Sequence, residues 1–419
     1  MSNQLNEKHA RPMKVLFMAD YFLPHAGGSR VYYFNLYSRL VRRFPTRLTT
    51  LTKKLPGWQE FDRRESSPNF RIRRHLTPLP NWKYWQWPRM AAHFADAALM
   101  TGLNDFDCVH CGDLLPQGLS GALLQKLFKL PLTMFCHGDE ISQTDRFRYL
   151  PKVRNAIYRR ADAVIAANQF AVNQLVRIGV RRERIHKITP GVDMDLFQPR
   201  PPKSELVERY RLAHKKVLLS VARLVPRKGH KIVLQALKKV LPRVPDVAYL
   251  IAGEGPEKAN LQKMVNELEL HDVVQFVGDV SHDQISDYYS LCDVFVMINR
   301  LEAGGDVESF GMVFTEANAV GKPVIGGSSG GSAEAVLDGR TGFLVDPNDV
   351  DAVSQKLIML LSDTELRRKM GAAGLERVRD EFNWDTRVEK LHEINCDLVR
   401  KRSYQTVTSA SAAIAEPEK

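Results

Sequence analysis

The stretch KVLLSVARLVPRKGHKIVLQALKKVL, residues 216–241, decides the fold. Its opening, 216–222, reads as a strand, and its second half, 231–241, spaces apolar residues as a helix does. A strand passing directly into a helix is the repeating unit of a parallel α/β sheet. The rhythm continues downstream, with a strand at 248–253, a helix through 257–269, strands at 273–277, 294–298 and 323–326, and a closing helical region. Upstream it starts at 13–20 (MKVLFMAD), a short apolar run ending in polar residues; Gly27 and Gly28 follow, then a helical pattern over 31–43. Further strand-like runs stand at 46–52, 108–111, 132–136, 163–167 and 184–188, with helical stretches between most of them. The rhythm breaks at 197–204 (FQPRPPKS), where three prolines fall within eight residues. Proline without a backbone donor suits an extended linker. The expected architecture is two doubly wound, Rossmann-like α/β domains facing a central cleft, 13–200 and 201–380, followed by a helix at 381–402 and a flexible tail at 403–419.

Composition agrees. A chain of 419 residues is too long for one ordinary core. Its 44% apolar and 26% charged content is that of a globular protein. No run approaches the ~18 apolar residues of a membrane-crossing helix. The polar lead-in, 1–12, lacks a signal core, so a cytoplasmic location is expected, with peripheral contact on the inner face of the membrane. Five cysteines do not make a disulfide framework. Cys108 and Cys111 form a CxxC, with Cys136 and His137 further on, but without a second CxxC they read as small hydrophobes at strand ends rather than zinc ligands. Charge is uneven: residues 1–200 hold 31 Lys and Arg against 16 Asp and Glu, and the rest 29 against 32. The first half therefore meets something anionic: nucleic acid, an anionic membrane or a phosphorylated acceptor.

The densest chemical signal is ESFGMVFTE, with Glu308 and Glu316 eight residues apart around Gly311. A helix starting near Gly311 would turn its free N–H groups and positive dipole end toward a diphosphate, with carboxylates on either side for sugar and ribose hydroxyls. Alone, such a pair would read as two exposed acids on a capped helix. It is accompanied by Arg223 and Lys228, five residues apart at the carboxyl end of the strand 216–222, the edge where open α/β sheets bind ligands. A guanidinium and an ammonium there suit a diphosphate leaving group. Gly27-Gly28 allows close approach of backbone to a phosphate. His137, in FCHGDE, and Gly253, in GEGP, each end a strand at the same kind of edge.

In this order, TPGVD (189–193), RLVPRKG (223–229), GEGP (253–256), GDVE with SFG (305–311) and Glu316 resemble family 4 of the retaining glycosyltransferases, whose fold is named GT-B. The resemblance covers roughly 13–398 and is most specific from 217 to 347; DEFNWD (380–385) resembles the segment before that family's last helix, which crosses back onto the first domain. It implies that Arg223 and Lys228 hold the donor diphosphate, Glu316 the ribose, and Glu308 the transferred hexose with the backbone N–H groups of Phe310 and Gly311. Met312 and Val313 follow among the donor-binding residues. Gly28, with Gly27 also among the donor-binding residues, would close on the phosphates from the first domain, His137 would line the reacting face of the sugar, and the base would lie against backbone near Val277 and Val280. The family pattern implies no cofactor and no metal, so the DxD strings at 105–107 and 193–195 are discounted. Ala222 stands where the family often has glycine, a small departure. No carboxylate is placed as a nucleophile, so the diphosphate oxygen would take the acceptor proton.

Acceptor choice should rest on the first domain, where the family likeness is weakest. Residues 80–88 (PNWKYWQWP), with Arg71, Arg73 and Arg74 just ahead, read either as aromatic-basic contact with a membrane interface or as an ordered loop with buried rings. A lipid-linked or membrane glycan acceptor is expected, with a soluble sugar or sugar phosphate as the alternative. Rival readings are a sugar-nucleotide binder without activity, an epimerase of the same fold, and a nucleic-acid binder; the last lacks any RRM, helix-turn-helix or finger pattern.

Overall fold

The computed structural model describes residues 11–24, 27–75 and 86–414. The chain divides into two compact units. Met1–Ala167, Ala171–Ile188 and Trp384–Lys419 form the first, and Asn168–Phe170 with Thr189–Asn383 form the second. The division therefore falls after Ile188, ahead of the proline-rich stretch in which sequence reading set it.

In the first unit, strands β1 (Met13–Met18), β2 (Thr46–Thr52), β3 (Phe70–Arg74), β4 (Cys108–Cys111), β5 (Leu132–Cys136), β6 (Ala163–Ala166) and β7 (Ile185–Lys187) form one sheet in the order β3-β2-β1-β4-β5-β6-β7. All pair in parallel; Met13 stands opposite Thr46, and Val15 opposite Cys108. The second unit repeats the plan with β8 (Lys216–Val221), β9 (Val247–Ala252), β10 (Val274–Gly278), β11 (Val294–Met297), β12 (Val324–Gly327) and β13 (Gly342–Val345), ordered β10-β9-β8-β11-β12-β13. Strand order reverses between β1 and β4 and again between β8 and β11, so each sheet has a switch point where the loops on its carboxyl edge part.

Strands covered by helices on both faces read as unbroken apolar runs; every residue of β9 (VAYLIA) is buried. Two short edge strands lack that signature and depart from expectation. β3 reads FRIRR, more arginine than apolar, and β13 is four residues inside a region that reads as helical. Arg74 is no surface cation. Its buried guanidinium donates to Asp62 at 2.6 and 3.0 Å and to the carbonyls of Leu23 and Lys53 at 2.8 Å each. Residues 76–85, most of the aromatic-basic stretch, lie outside the described residues, as does the lead-in up to residue 10.

The last helix, Trp384–Ile414, runs beyond the start of the expected tail at 403. It packs on the helix Gly28–Arg43 in one core with Tyr32, Leu36, Trp384, Val388 and Leu391. Cys108 and Cys111 sit three apart on β4 and enter the cores on opposite faces of the sheet, so one metal ion cannot bind both.

At the second switch point the turn Pro226–Lys228 ends in Gly229, which caps the helix His230–Val240 with φ +70°. A Cβ there would stand 1.8 Å from the Ile298 carbonyl oxygen. Gly339 has nearly the same φ, +71°, but an added Cβ would meet nothing within 4 Å. Gly339→Ala should therefore lose only the left-handed backbone cost, about 1–2 kcal/mol, while Gly229→Ala loses clearly more because β11's exit must also move. Urea unfolding of both variants checks this, and equal losses would refute the close approach.

Candidate functional site

The loop after β8 carries Arg223, Arg227 and Lys228, and the loop after β11 carries Asp306 and Glu308. Their side chains meet. Lys228 Nζ donates to Glu308 Oε2 at 2.5 Å, and Arg227 donates to the same oxygen at 2.6 Å while its Nε lies 3.2 Å from Asp306. Burial alone would push the Glu308 carboxyl up, but the charges and hydrogen bonds of Lys228 and Arg227 outweigh it and hold Glu308 below the usual carboxylate range. Burial pulls the Lys228 ammonium down, and Glu308 only partly restores it. Arg223 is exposed and makes no ion pair or side-chain hydrogen bond among the described residues. Two cations thus engage two carboxylates, and a third, Arg223, leaves the same strand end.

Gly311 is the N-cap of the helix Met312–Ala319, with φ +80°. Met312 and Val313 open that helix, Phe310 is buried ahead of it, and Glu316 lies in its second turn. Tyr289 donates to Glu316 Oε2 at 2.7 Å. Burial dominates and lifts the Glu316 carboxyl to about 7 in spite of that bond. The loop holding Glu308 is fixed from behind by a glycine-serine segment, 326–332, that sequence reading passed over. Gly331 N–H donates to the Glu308 carbonyl at 2.9 Å, and a Cβ on Gly330 or Gly331 would stand 2.3 Å from the Glu308 oxygen or 1.7 Å from the Ser309 oxygen. Buried Asn299 ties the segment down through Ser329 O at 2.8 Å and Gly327 N at 3.2 Å. Gly253, φ +132°, packs where a Cβ would sit 2.1 Å from the Ala222 carbonyl, so it shapes the Arg223 loop. Val277 and Val280, in and just after β10, are partly buried against the core beside Tyr289. The predicted donor-side residues of the second unit thus lie along the carboxyl edge of its sheet, with Arg223, Lys228, Glu308 and the Gly311 cap beside the switch point, Gly253 after β9, and Val277 and Val280 at the outer strand β10. Arg227 was missed, because a spacing rule picks Arg223 and Lys228 and says nothing of where the intervening turn aims a third cation.

Gly27, Gly28 and His137 lie on the first unit. Gly27 precedes the helix Gly28–Arg43, and a Cβ at Gly28 would meet nothing within 4 Å, so packing does not demand glycine there. His137 follows β5 and is partly exposed. Glu140 caps this turn, accepting from the His137 and Gly138 N–H groups at 2.8 Å each. Tyr33 Oη donates its single proton to the Gly112 carbonyl at 2.6 Å and lies 2.7 Å from His137 Nε2. A hydroxyl that has spent its proton can only accept, so Nε2 carries the hydrogen and Nδ1 is the unprotonated nitrogen. Burial holds His137 below the ordinary histidine pKa, against the opposing charge of Asp139, and so keeps it neutral at pH 7.

A second charged cluster, also unread in the sequence, sits at the carboxyl ends of β1, β2 and β4. Asp20 accepts from Lys53 at 2.6 Å and from Arg89 at 2.5 Å, and its own N–H donates to Asp113 at 2.6 Å. Burial opposes ionisation of Asp20, but Lys53 and Arg89 hold it below the usual range. Burial, aided by the Asp20 charge, lifts Asp113 to about 6. Their spacing, 33 to 93 residues, gives no local pattern; only the rule that ligands sit at switch points would lead there. Among the described residues no group of three or more His, Cys, Asp or Glu is arranged to hold a metal ion.

Two parallel, doubly wound units, the second with a cationic, helix-capped carboxyl edge, are those of a GT-B glycosyltransferase. Comparison with known proteins agrees: residues 203–377 match the family described as glycosyl transferases group 1, and residues 26–196 match Glycosyltransferase Family 4. The GDP-mannose-dependent alpha-(1-6)-phosphatidylinositol monomannoside mannosyltransferase of Mycolicibacterium smegmatis is 32% identical over 91% of this chain and 97% of its own. The N-acetyl-alpha-D-glucosaminyl L-malate synthase of Bacillus anthracis is 26% identical over 90% and 96%. Anabaena HepE, solved with UDP and glucose, superposes with a TM-score of 0.76 at 21% identity, covering 91% of this chain and 98% of that one. The chain belongs to family 4 of the glycosyltransferases.

Tyr33→Phe removes the acceptor that fixes the His137 tautomer. Nitrogen-15 NMR of the wild type should show Nε2 protonated and Nδ1 bare, and the variant should show a mixture or the opposite tautomer. An unchanged tautomer would refute the assignment.

Proposed function

We propose that this chain transfers a hexose, with retention and without a metal, from a nucleotide-diphosphate sugar to a hydroxyl of a lipid-linked or membrane glycan acceptor. The observation that carries the reading is the Lys228–Glu308–Arg227 cluster next to the Gly311 helix cap, with Arg223 on the same loop and unpaired among the described residues. GDP-mannose is the leading donor and a UDP-glucose type the second, supported by the full-length likeness to the mannosyltransferase of M. smegmatis. The same relative, named for a phosphatidylinositol acceptor, supports the lipid-linked choice. A soluble acceptor is the second reading, favoured by the B. anthracis relative whose name puts L-malate on the sugar. The chain would work as a peripheral protein on the inner membrane face.

In this reading Arg223, Lys228 and the helix cap hold the diphosphate, Glu308 with the Phe310 and Gly311 N–H groups holds the hexose, and Glu316 accepts from the ribose hydroxyls. Val277 and Val280 flank the base. From the first unit, Gly28 closes on the phosphates and His137 faces the sugar. The acceptor oxygen attacks the anomeric carbon on the face from which the diphosphate leaves. The bond from that carbon to the phosphate oxygen breaks as the new one forms, and the acceptor's proton passes to the departing oxygen. Cations and helix dipole stabilise the charge that develops there.

Labelled GDP-mannose and UDP-glucose, offered to the full chain with either a membrane lipid extract or soluble sugars, test this. Label should move from GDP-mannose into the lipid phase, and failure to consume any nucleotide sugar with either acceptor would overturn the reading. Because the cations stand in for a divalent ion, activity should survive excess EDTA; complete loss, restored by Mg²⁺ or Mn²⁺, would refute metal independence.

Glu316 supplies a pH signature. Its carboxyl, at about 7 in the unliganded chain, must ionise to accept two ribose hydrogen bonds, each worth about 1.5–3 kcal/mol. Nucleotide affinity should be flat above pH 7 and fall about tenfold per pH unit below it, since the proton must first be removed. Glu316→Gln should bind weakly at every pH. Calorimetry from pH 5.5 to 8.5 decides it: an affinity independent of pH, or an unaffected variant, contradicts the role.

A further inference from the structure

Large apolar side chains left in water gather on one face of the first unit. The helices Gln86–Leu103, Leu119–Phe128 and Leu150–Arg160 lie side by side over the same face of its sheet, sharing one core through Ala97, Leu124 and Ile157. Their outer surfaces carry leucine pairs at helical spacing, Leu99 with Leu103 and Leu123 with Leu127; Leu103 is 75% and Leu127 62% exposed. The loop leading into the third helix reads Arg146-Phe147-Arg148-Tyr149. Phe147 is 49% and Tyr149 65% exposed, and the arginine before each lies over its ring, at 5.1 and 5.2 Å.

The charge around these side chains is one-sided. Residues 119–160 hold eight Lys and Arg against three Asp and Glu. The three acids are occupied: Asp145 by Arg154 and Arg177, Glu140 by the turn it caps, and Asp139 by Gln143. Lys126, Lys129, Arg146, Arg148 and Lys152 are exposed and make no ion pair among the described residues. An apolar strip that alternates with unpaired cations matches an anionic bilayer: rings and leucines enter the acyl boundary while lysine and arginine meet lipid phosphates.

We propose that the loop 146–149, with the outer faces of the helices Leu119–Phe128 and Leu150–Arg160, is the surface by which this chain docks on anionic membranes. The geometry serves a membrane-borne acceptor, because the helix Gln86–Leu103 beside them starts at the carboxyl edge of the sheet, where Arg89 meets Asp20. A chain lying on these helices keeps that edge at the lipid headgroups. The inference rests on the reading of a lipid-linked acceptor, and it differs from the aromatic segment 80–88 in naming other residues.

The test is co-sedimentation of the full chain with vesicles of phosphatidylcholine, with or without one-third phosphatidylglycerol, across a salt series. Wild type should bind the anionic vesicles, more weakly as salt rises, and the neutral ones little. Phe147→Ser with Tyr149→Ser should weaken binding by about tenfold or more, and Arg146→Gln with Arg148→Gln should lower both binding and its salt dependence. Leu123→Ser with Leu127→Ser approaches the same face from a neighbouring helix and covers the case in which the loop variant folds poorly. Nucleotide affinity on the same preparations should stay at the wild-type value. Wild type that ignores anionic vesicles, variants that bind like wild type, or equal binding to neutral vesicles would overturn the proposal. So would a wild-type dimer in sedimentation that the substitutions dissociate, since the face would then join two copies. A wild type that binds vesicles but no nucleotide sugar would instead sink the transfer reading and leave the docking surface standing.

Discussion

One carboxylate, Glu308, has to stay charged where water scarcely reaches it. An unpaired carboxylate would take up a proton rather than bear that desolvation. Lys228 and Arg227 prevent this by sharing its Oε2 atom, and the surrounding backbone is arranged so that they can. Gly229 lets the cation-bearing turn press against the exit of β11 at Ile298, while Gly330 and Gly331 let the glycine-serine segment press on the Glu308 and Ser309 carbonyls from the other side. Asn299 locks that segment in turn. Breaking a buried pair by removing one partner costs about 3–5 kcal/mol, so the glycines and the ion pairs stand or fall together.

The first unit repeats the device with different residues. Asp20, just past the first strand of its sheet, lies between Lys53 and Arg89 as Glu308 lies between Lys228 and Arg227. In both units the carboxylate sits beside the switch point, where diverging loops leave backbone unfilled and polar side chains converge. The surroundings differ. Arg223 adds a cation without a partner among the described residues in the second unit, whereas Asp113, lifted to about 6, adds a second acid in the first. The second edge is thus biased toward a highly anionic ligand, and the first toward one that offers both donors and acceptors.

Much of this was legible in the chain. Central strands such as β9 and β5 announce themselves because burial on both faces leaves only apolar residues. Glu308, Glu316, Arg223 and Lys228 were legible because a helix cap and a strand exit confine them to short segments. What escaped did so for physical reasons. The edge strands β3 and β13 are half-covered and short, so their patterns do not alternate cleanly. Arg74 reads as a surface cation until its guanidinium is seen tying two loops, at Leu23 and Lys53, to the helix Trp58–Glu65 through Asp62. Tyr33 is one of three buried tyrosines on a helix, and only the proton count at Gly112 separates its role from that of Tyr32 or Tyr37.

The two acids of the ExxxxxxxE segment end with opposite protonation habits, and that difference bears on mechanism. Glu308, held down by two cations, stays anionic, but its charge is spent on them; a carboxylate accepting hydrogen bonds from an ammonium and a guanidinium is a poor nucleophile and a poor base. Glu316, which accepts from Tyr289, is near half-protonated at pH 7, and it lies half-buried in the second turn of its helix, behind the capped end where a diphosphate would sit. Neither acid therefore combines the charge, freedom and position needed to attack an anomeric carbon or to deprotonate an acceptor. Among the groups proposed for this edge, the departing diphosphate alone would gain basicity as the bond breaks. This supports a same-face transfer in which the leaving group serves as the base, over a double displacement through the enzyme.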